Sequence, residues 1–514
     1  MLVAMDTLSY WQDSAALPDF PKPSKDLDVD VIIIGGGLTG ITTAHLMKKA
    51  GRTVALIERA RCAQIDTGHT TAHLTAMPDM RLHELIRHFG KQAARDVWDA
   101  GAAAIDQIAA IVEEKNIDCA FARRDGVLHA PAGAAVAPES IEELKREAKA
   151  ADELGIEAHY MESVPFYHVP GVGFSRQAHF HPLKYLSALV ARIPGGGSHV
   201  FENTEAGEIT DDPLTVSANG HRIRGRYLVL ATHTPLQGVS GTLGALLFQT
   251  KLSLYTSYAI GARMPAGTIP DALFWDTKNA HDYLRLETGR DFDYVIFGGE
   301  DHKTGQKTDT RLAYGRLEER LYRLLPSAKV EHRWSGQVIE TNDGLPFIGE
   351  VAKNQFIGTG FAGNGMTFGT LTAMMAVDAL LGRDNRWKKL FDPSRRKWLG
   401  GTWSYLSENK DYPYHMLKDW LTKGAHESLS SILRNAGKII LVDGRKVAAS
   451  RDPAGEITLC SAVCPHLGCI VDWNQAEQTW DCPCHGSRFK PTGDVISGPA
   501  ESALEKLAVA DTEA

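Results

Sequence analysis

The chain has 514 residues, of which 43% are hydrophobic and 23% are charged, and a formal net charge of −8 at pH 7. This composition is that of a globular protein with room for about three domains. The negative charge and the lack of a dense basic stripe argue against a nucleic-acid partner. No apolar run approaches the roughly 20 residues of a membrane-spanning helix, so we expect no transmembrane segment. The N-terminus lacks the pattern of a secretory signal, so we expect a cytoplasmic protein.

The first predicted elements form a nucleotide-binding pattern. Residues 29–34 (VDVIII) are a continuous apolar, β-branched run of the kind that parallel sheets bury. The glycines of Gly35-x-Gly37-x-x-Gly40 follow, then a helical stretch, then a second strand that ends at Glu58. The glycines would let the backbone approach a pyrophosphate, which the helix N-terminus stabilises, while Glu58 could bind ribose hydroxyls. Because all these parts occur in order, the sequence predicts a dinucleotide site.

The middle of the chain changes its periodicity twice. Residues 84–165 have helical patterns with Ala-rich stripes, which predict helices that face a core. Residues 247–300 turn to strand patterns such as LSLYTSYAIGARM. Residues 343–382 predict a strand, a glycine-rich turn and a helix. No second GxGxxG fingerprint for NAD(P)H lies between the two glycine-rich segments.

Three segments resemble the flavoproteins of the D-amino-acid oxidase family: DTGHTTAHLT (66–75), RYLVLATHTP (226–235) and the segment 343–382. The resemblance covers roughly residues 28–395. It implies an α/β FAD-binding domain of the Rossmann-like, glutathione-reductase type, with an antiparallel substrate sheet over the flavin. It also implies FAD rather than NAD as the cofactor. Family members oxidise a C–N bond next to a carboxylate or similar group.

By position, the resemblance implies FAD contacts in both glycine-rich turns and in the segments between them. These residues are Gly35, Gly37, Leu38, Thr39, Gly40, Glu58, Arg59, Thr70, Thr71, Ala206, Thr232, Gly363, Gly365, Met366 and Thr367. Some relatives attach the flavin covalently through a histidine in the 66–75 motif. Thr70 stands at that position here, with His69 beside it, so we expect non-covalent flavin. His69 and His73 fit packing or hydrogen-bonding roles equally well.

The substrate side offers one candidate catalytic residue. A substrate carboxylate would favour an arginine, and Arg285 in DYLRLE lies near the position at which relatives have theirs. Tyr255 and Tyr258, on the preceding predicted strand, could donate hydrogen bonds to a substrate. A structural role is the alternative for each of these three side chains.

Residues 464–487 (CPHLGCIVDWNQAEQTWDCPCHGS) contain four of the seven cysteines and two histidines. Cys464-x-His466 and Cys482-x-x-His485 each offer one thiolate and one imidazole. A Rieske [2Fe–2S] cluster is held in this way, by two cysteines on one iron and two histidines on the other. Structural zinc is the rival, but finger-like zinc sites usually pair cysteine with cysteine and histidine with histidine. The spacing therefore favours an iron–sulfur cluster.

CPHLGC and CPCHGS resemble the two cluster-binding loops of the Rieske proteins of cytochrome bc complexes. The resemblance implies that Cys464, His466, Cys482 and His485 are the ligands. It implies a disulfide between Cys469 and Cys484, with two free buried thiols as the alternative. In those proteins a serine, here Ser487, donates to a cluster sulfur. A tyrosine two residues later donates a second bond, and here that position is Phe489, which has no donor.

Four segments follow from these assignments. We expect an N-terminal extension at 1–28, an FAD-dependent oxidoreductase unit at 29–385, a connector at 386–425 and an all-β Rieske domain at 426–514. The connector is aromatic and basic, which fits a packed linker, with a membrane-surface helix as the alternative. The layout resembles bacterial fusions of a D-amino-acid-oxidase-type flavoprotein to a C-terminal Rieske domain.

These parts predict an FAD-dependent dehydrogenase of an amine or amino-acid-like substrate. Oxidases return electrons directly to dioxygen, whereas a one-electron cluster suits transfer of single electrons to an acceptor protein or a quinone. Two alternatives stay open. Electrons could enter at the cluster and leave through the flavin, or the chain could be a redox carrier or sensor without catalysis.

Overall fold

The computed structural model describes residues 8–133, 136–234, 251–307, 309–395, 418–424 and 427–508. Their main helices are α1 (Tyr10–Ser14), α2 (Leu38–Lys49), α3 (Leu82–Phe89), α4 (Lys91–Lys115), α5 (Pro138–Glu153), α6 (Pro182–Val190), α7 (Arg311–Leu324), α8 (Gly365–Leu380) and α9 (Lys388–Phe391). Two short 3-10 helices lie at Asp66–His69 and Leu429–Ser431.

The strands of the N-terminal unit are β1 (Leu27–Asp28), β2 (Val31–Ile34), β3 (Val54–Ile57), β4 (His73–Leu74), β5 (Ala122–His129), β6 (Ala158–Met161), β7 (Gly171–His179), β8 (His199–Phe201), β9 (Ala206–Asp211), β10 (Leu214–Ala218), β11 (His221–Arg224), β12 (Tyr227–Leu230), β13 (Leu252–Pro265), β14 (Leu273–Asp276), β15 (Tyr283–Glu287), β16 (Phe292–Lys303), β17 (Lys329–Thr341), β18 (Phe347–Ala352) and β19 (Gln355–Thr359). Those of the C-terminal unit are β20 (Ala436–Val442), β21 (Arg445–Arg451), β22 (Ile457–Ser461), β23 (Asp472–Asn474), β24 (Thr479–Asp481), β25 (Arg488–Phe489) and β26 (Val495–Ser497).

A six-stranded sheet in the order β18-β19-β12-β2-β3-β8 organises the N-terminal unit. Its central strands β12, β2 and β3 are parallel. All four residues of β2 are buried, because both faces of the sheet are covered. Val31 and Ile33 pack into a core with α2 and α8. Ile32 and Ile34 pack instead against the small sheet β1-β11-β10-β9.

A nine-stranded sheet forms the second layer. Its order is β17-β13-β16-β15-β14-β5-β7-β4, with β6 paired to β7. The neighbours β13, β16 and β15 are antiparallel, whereas β14 and β5 are parallel. This sheet confirms the predicted substrate layer, which stands beside the α/β FAD-binding layer.

The C-terminal unit consists of two antiparallel sheets, β20-β21-β22 and β23-β24-β25-β26. Its core contains the buried side chains of Trp480 and Phe489, packed in one cluster with Cys464 and Cys482. The architecture predicted from the sequence, an α/β unit with an antiparallel sheet followed by an all-β unit, is therefore confirmed.

The secondary structure of residues 84–165 differs in part from the prediction. The helical prediction for residues 84–165 is right for α3, α4 and α5 but wrong for β5 and β6, which are strands of the nine-stranded sheet. Pairing with β7 overrides the local helical context there.

The predicted connector is described only at 386–395 and 418–424, so the rest of it, 396–417 and 425, lies outside the described residues. None of the helices within the described ranges is long and apolar enough to span a bilayer.

The packing of α2 against β2 can be tested at Gly40, the third glycine of the fingerprint. A Cβ at Gly40 would clash with the carbonyl oxygen of Gly35 and touch Ile33, where α2 crosses β2. We expect Gly40→Ala to lower the free energy of unfolding by roughly 1–3 kcal/mol, the usual cost of overpacking, and to weaken FAD retention. Thermal unfolding and the flavin content of the purified protein measure both effects.

Gly315 is the matched control, because it also lies in a helix but has no atom within 4 Å of an added Cβ. Gly315→Ala should stabilise α7 by up to about 1 kcal/mol. Equal behaviour of the two variants would contradict the close approach of α2 to β2.

Candidate functional site

A cavity of about 1350 Å³ lies between the two large sheets of the N-terminal unit. It is bordered by every predicted FAD residue except Gly40 and Thr367. Gly40 instead lies under the turn, where its missing side chain lets α2 meet β2. Thr367 is buried in the first turn of α8. These two residues would shape the site without bordering it.

The glycine-rich turn and Glu58 form one end of the cavity. Glu58 ends the buried strand β3, and its carboxylate accepts hydrogen bonds from the backbone N–H groups of Gly36 (2.7 Å) and Ala60 (2.8 Å). Burial nevertheless raises the pKa of this carboxyl. Helix α2 begins at Leu38, and its first residues Leu38 and Thr39 border the cavity; the Leu38 N–H donates to Thr67 Oγ1 (3.2 Å). This donor set fits a pyrophosphate at the helix and a ribose at Glu58.

The loop that carries Thr70 and Thr71 is held from both sides. Trp11 of α1 donates from Nε1 to the Thr70 carbonyl (2.6 Å), and Ser9 donates from Oγ to the Gly68 carbonyl (2.5 Å). On the other side, Trp334 Nε1 donates to the His69 carbonyl (2.9 Å). No role for α1 was predicted, because nothing in the local sequence indicates that Trp11 packs against a loop almost sixty residues away.

The structure places Arg285 away from the cavity. Its side chain is fully buried, and its guanidinium donates to the carbonyls of Ala72 (3.0 Å) and Phe180 (3.1 Å) and to the carboxylate of Glu287. A substrate carboxylate cannot replace these partners without disrupting the fold. The structure therefore favours the structural alternative for Arg285, which supports the predicted flavin loop through hydrogen bonds to its backbone.

Of the two candidate tyrosines, one borders the cavity and the other does not. Tyr255 borders the cavity. Tyr258 is fully buried, with its ring 5.1 Å from that of Tyr314, and does not border it. Four further polar side chains of the cavity wall do not stand out in the sequence, since strand patterns do not show which side chains meet across a sheet. They are Ser257, His281, Tyr283 and Asp301.

The four predicted cluster ligands form two neighbouring pairs in the loops of the C-terminal unit. The side chains of Cys464 and Cys482 are buried, and the rings of His466 and His485 lie 4.8 Å apart. Burial lowers the pKa of His466 to about 4 and that of His485 to about 3, so both imidazoles are neutral at pH 7. Neutral imidazole is the form that binds metals.

The two thiols interact with each other. A hydrogen bond from Cys482 and backbone N–H groups of the loop lower the pKa of Cys464, whereas the same contact and burial raise the pKa of Cys482. The nearby Ser487 hydroxyl also lowers the pKa of Cys464. Its oxygen accepts from the Ala500 N–H (3.0 Å). Two thiols, two neutral imidazoles and converging N–H donors fit a Rieske cluster.

Cys469 and Cys484 form a disulfide that joins the two cluster loops. The sulfur of Cys482 lies within 4.8 Å of both. A site with three cysteine ligands does not follow from this proximity, because a disulfide has no thiolate to offer a metal. The pairing agrees with the one that the resemblance implies.

The chain belongs to the FAD-dependent oxidoreductase family, whose family model matches residues 30–379. The model of the Rieske [2Fe-2S] domain matches residues 421–508. The protein is thus an oxidoreductase that uses FAD and a [2Fe–2S] cluster.

Three known proteins illustrate the similarity. The Rieske 2Fe-2S iron-sulfur protein YhfW of Bacillus subtilis (strain 168) is 35% identical over 509 residues, 97% of either chain. The cytochrome b6-f complex iron-sulfur subunit of Desmonostoc sp. (strain PCC 7906) is 44% identical over 96 residues, which cover 17% of this chain and 53% of that subunit. Glycine oxidase from Geobacillus kaustophilus has a similar fold, with a TM-score of 0.61 and 16% identity over 72% of this chain and 99% of its own.

The ligand set predicts the metal content. Purified protein should contain one FAD, two irons and two acid-labile sulfides per chain, the composition of a Rieske flavoprotein. Cys482→Ser should remove iron and sulfide and leave FAD bound. Cys460→Ser is the control, because Cys460 is a buried thiol of the same unit outside both loops. Stoichiometric zinc in place of iron would contradict the cluster.

Hydrogen bonds to the cluster sulfurs predict its reduction potential. They stabilise the more negative reduced cluster, so Ser487→Ala should lower the potential and Phe489→Tyr should raise it. A bond worth about 1.5 kcal/mol corresponds to about 60 mV in a one-electron couple. Voltammetry measures the shifts, and Ser450→Ala, which removes a buried donor to Pro491 instead, should leave the potential unchanged. A rise in Ser487→Ala would refute the assignment.

Proposed function

We propose that the protein is an FAD-dependent dehydrogenase that oxidises the C–N bond of an amine or amino-acid-like substrate. Its electrons leave singly through the Rieske cluster for an acceptor protein or a quinone. One observation supports this above all: residues 496–501 of the C-terminal unit border the same cavity as the predicted FAD residues. The unit that carries the cluster ligands thus forms part of the cavity wall, and residues 496–501 are called the shared wall below.

Two hydrogen bonds hold that shared wall. Arg59, which follows Glu58, donates from Nη2 to the carbonyl of Ile496 (2.8 Å). Thr234 donates from Oγ1 to the carbonyl of Gly498 (3.0 Å). Both donors border the cavity, so side chains at the cavity bind the backbone of the cluster unit directly.

Gln337 links the cavity wall to a cluster loop. Its Nε2 donates to the carbonyl of Gly486 (2.7 Å), which lies between His485 and Ser487, and its Oε1 accepts from Ser497 Oγ (3.0 Å). Only 4% of Gln337 is exposed. A single buried side chain therefore contacts both the second cluster loop and the segment that borders the cavity.

A second set of contacts fixes the orientation of the cluster unit. Tyr314 of α7 donates to Glu477 (2.6 Å), and Thr310 donates to Asn474 (2.7 Å). Gln306 donates to the carbonyl of Pro483 (3.1 Å), inside the second cluster loop. At Gly305 a Cβ would lie 2.7 Å from the Cys482 backbone. The two units are in contact at several well-separated points, so the position of the second cluster loop relative to the N-terminal unit is fixed.

This arrangement suits a change from two-electron to one-electron chemistry. FAD accepts a hydride from a carbon atom, whereas a Rieske cluster takes one electron at a time. The residues of this chain would exclude water from the cavity, orient the substrate and hold the two groups at a fixed separation. An oxidase that returns electrons to dioxygen has no need of such a connection.

Anaerobic stopped-flow mixing with a panel of amines and amino acids tests the proposal. The flavin absorbance should bleach first and the cluster absorbance should change afterwards. In Gln337→Leu the first phase should keep its rate, and the second should slow by about tenfold or more, because the docking of the cluster loop is loosened. Gln355→Leu, another buried glutamine that bonds Asp211 far from the cluster, should leave both phases unchanged.

The other outcomes identify the alternatives. Reduction of the cluster before the flavin would reverse the direction and show a reductase. A flavin and a cluster that respond to no compound of the panel would favour a redox carrier. Equal rates of the second phase in Gln337→Leu and the native protein would remove the proposed role of the shared wall.

A further inference from the structure

A β-bulge lies in the substrate sheet where β13 and β16 pair. Thr256 pairs with His302 and Tyr258 pairs with Gly299, so Glu300 and Asp301 together oppose one residue, Ser257. Glu300 has a φ of 62°, in the left-handed region that non-glycine residues seldom adopt. A bulge of this kind turns the following side chain out of its expected direction.

Helix α7 holds the bulge in place. Arg316 donates from Nε to Glu300 Oε2 (2.7 Å), and Arg320 donates from Nη1 to Glu300 Oε1 (2.7 Å). Two arginines on successive turns of a helix thus fix the side chain of the strained residue. Such strain persists where the surroundings over-determine it, and it is frequent at binding sites.

The bulge directs Asp301 to the cavity. The Asp301 side chain borders the cavity, yet its Oδ1 atom is buried from solvent and has no hydrogen-bond partner among the described residues. The nearby Ser257 hydroxyl lowers the pKa of this carboxyl group, but less than burial raises it. Ser257 Oγ lies 2.7 Å from the hydroxyl of Tyr283, which borders the cavity too. Burial raises the pKa of Asp301 to about 6, so the group is mainly a carboxylate at pH 7. A buried acceptor without a partner is costly unless a ligand satisfies it.

Basic side chains of the cavity wall already have acidic partners. Lys278 bonds Asp276 (2.9 Å) and Asp282 (3.1 Å), and Arg81 faces Glu143 (3.5 Å). Arg285 does not reach the cavity. Arg61 pairs with Glu202 (3.0 Å), and Arg59 lies beside Glu58 and donates to the Ile496 carbonyl. Within the described part of the cavity wall, the nine-stranded sheet therefore offers the Asp301 carboxylate to a cation and no guanidinium or ammonium to a carboxylate.

We propose that Asp301 binds the ammonium group of the substrate and that the substrate class is amines whose binding does not depend on a carboxylate. This inference rests on the proposed function and narrows it. Ser257 and Tyr283 position the carboxylate, and the aromatic rings of Tyr283 and Trp275 border the same space. Tyr283 holds the Ser257 hydroxyl beside the carboxyl group, and the unpartnered Oδ1 atom of Asp301 is left for the ammonium N–H.

Ligand binding to the oxidised holoprotein tests the proposal without any turnover. Benzylamine, benzyl alcohol and benzoate share a ring and differ in charge, and all three can be titrated at neutral pH by flavin difference spectra and by calorimetry. The native protein should bind benzylamine about tenfold or more tightly than the other two, a difference of about 1.4 kcal/mol. Tighter binding of benzoate, or no binding of benzylamine, would overturn the proposal.

Asp301→Asn keeps the shape and removes the charge. Benzylamine should then bind about tenfold or more weakly, while the affinity for benzyl alcohol should change little. Glu84→Gln, which removes one negative charge elsewhere on the cavity wall, should leave all three affinities unchanged. An equal loss of all three ligands in Asp301→Asn would show a structural role and overturn the assignment.

Failure here is distinguishable from failure of the proposed function. Selective benzylamine binding without flavin reduction by any amine would retain the ammonium site and refute the dehydrogenase. Flavin reduction by amino acids, in a protein that prefers benzoate, would retain the dehydrogenase and refute the ammonium site.

Discussion

The buried amide of Gln337 is the interaction on which the relation between the two redox sites depends. Both ends of the amide are satisfied by the C-terminal unit, the nitrogen by Gly486 and the oxygen by Ser497. Its backbone N–H donates to Asp66 (3.1 Å), at the start of the predicted flavin loop. A buried amide that loses its partners costs about 1–3 kcal/mol. The cluster unit therefore cannot shift without exposing or orphaning this group.

The parts of the candidate site that the sequence indicates most clearly are those whose residues lie close together in the chain. The glycine fingerprint needs one strand, one turn and one helix, and the cluster loops need two knuckles with short spacing. In each case the chemistry restricts both residue type and spacing, so Gly35, Glu58 and the cysteine–histidine pairs stand out. The two-unit fold follows from the same patterns.

The parts that sequence could not predict depend on distant pairings. Whether Arg285 faces a cavity or a core is decided by the packing of β15 under the loop from Thr71 to Ala72 and beside Phe180. The direction of Asp301 depends on a bulge opposite β13 and on two arginines of α7. No periodicity within one strand contains that information, and propensity placed helix where β5 pairs with β7. The substrate side of the site is accordingly the part for which local reasoning is weakest.

The shared wall also couples the binding of FAD to the docking of the cluster unit. Residues 496–501 and the glycine-rich turn border the same cavity, so a ligand that spans the cavity would contact both. Any free energy by which FAD favours the docked arrangement must equal the free energy by which docking favours FAD, because such coupling is reciprocal. Arg59 and Thr234 are the side chains through which this coupling would act, since each borders the cavity and bonds the backbone of the cluster unit. A chain in which the two units dock only when FAD is bound would align the cluster with a flavin that is present and not with an empty site.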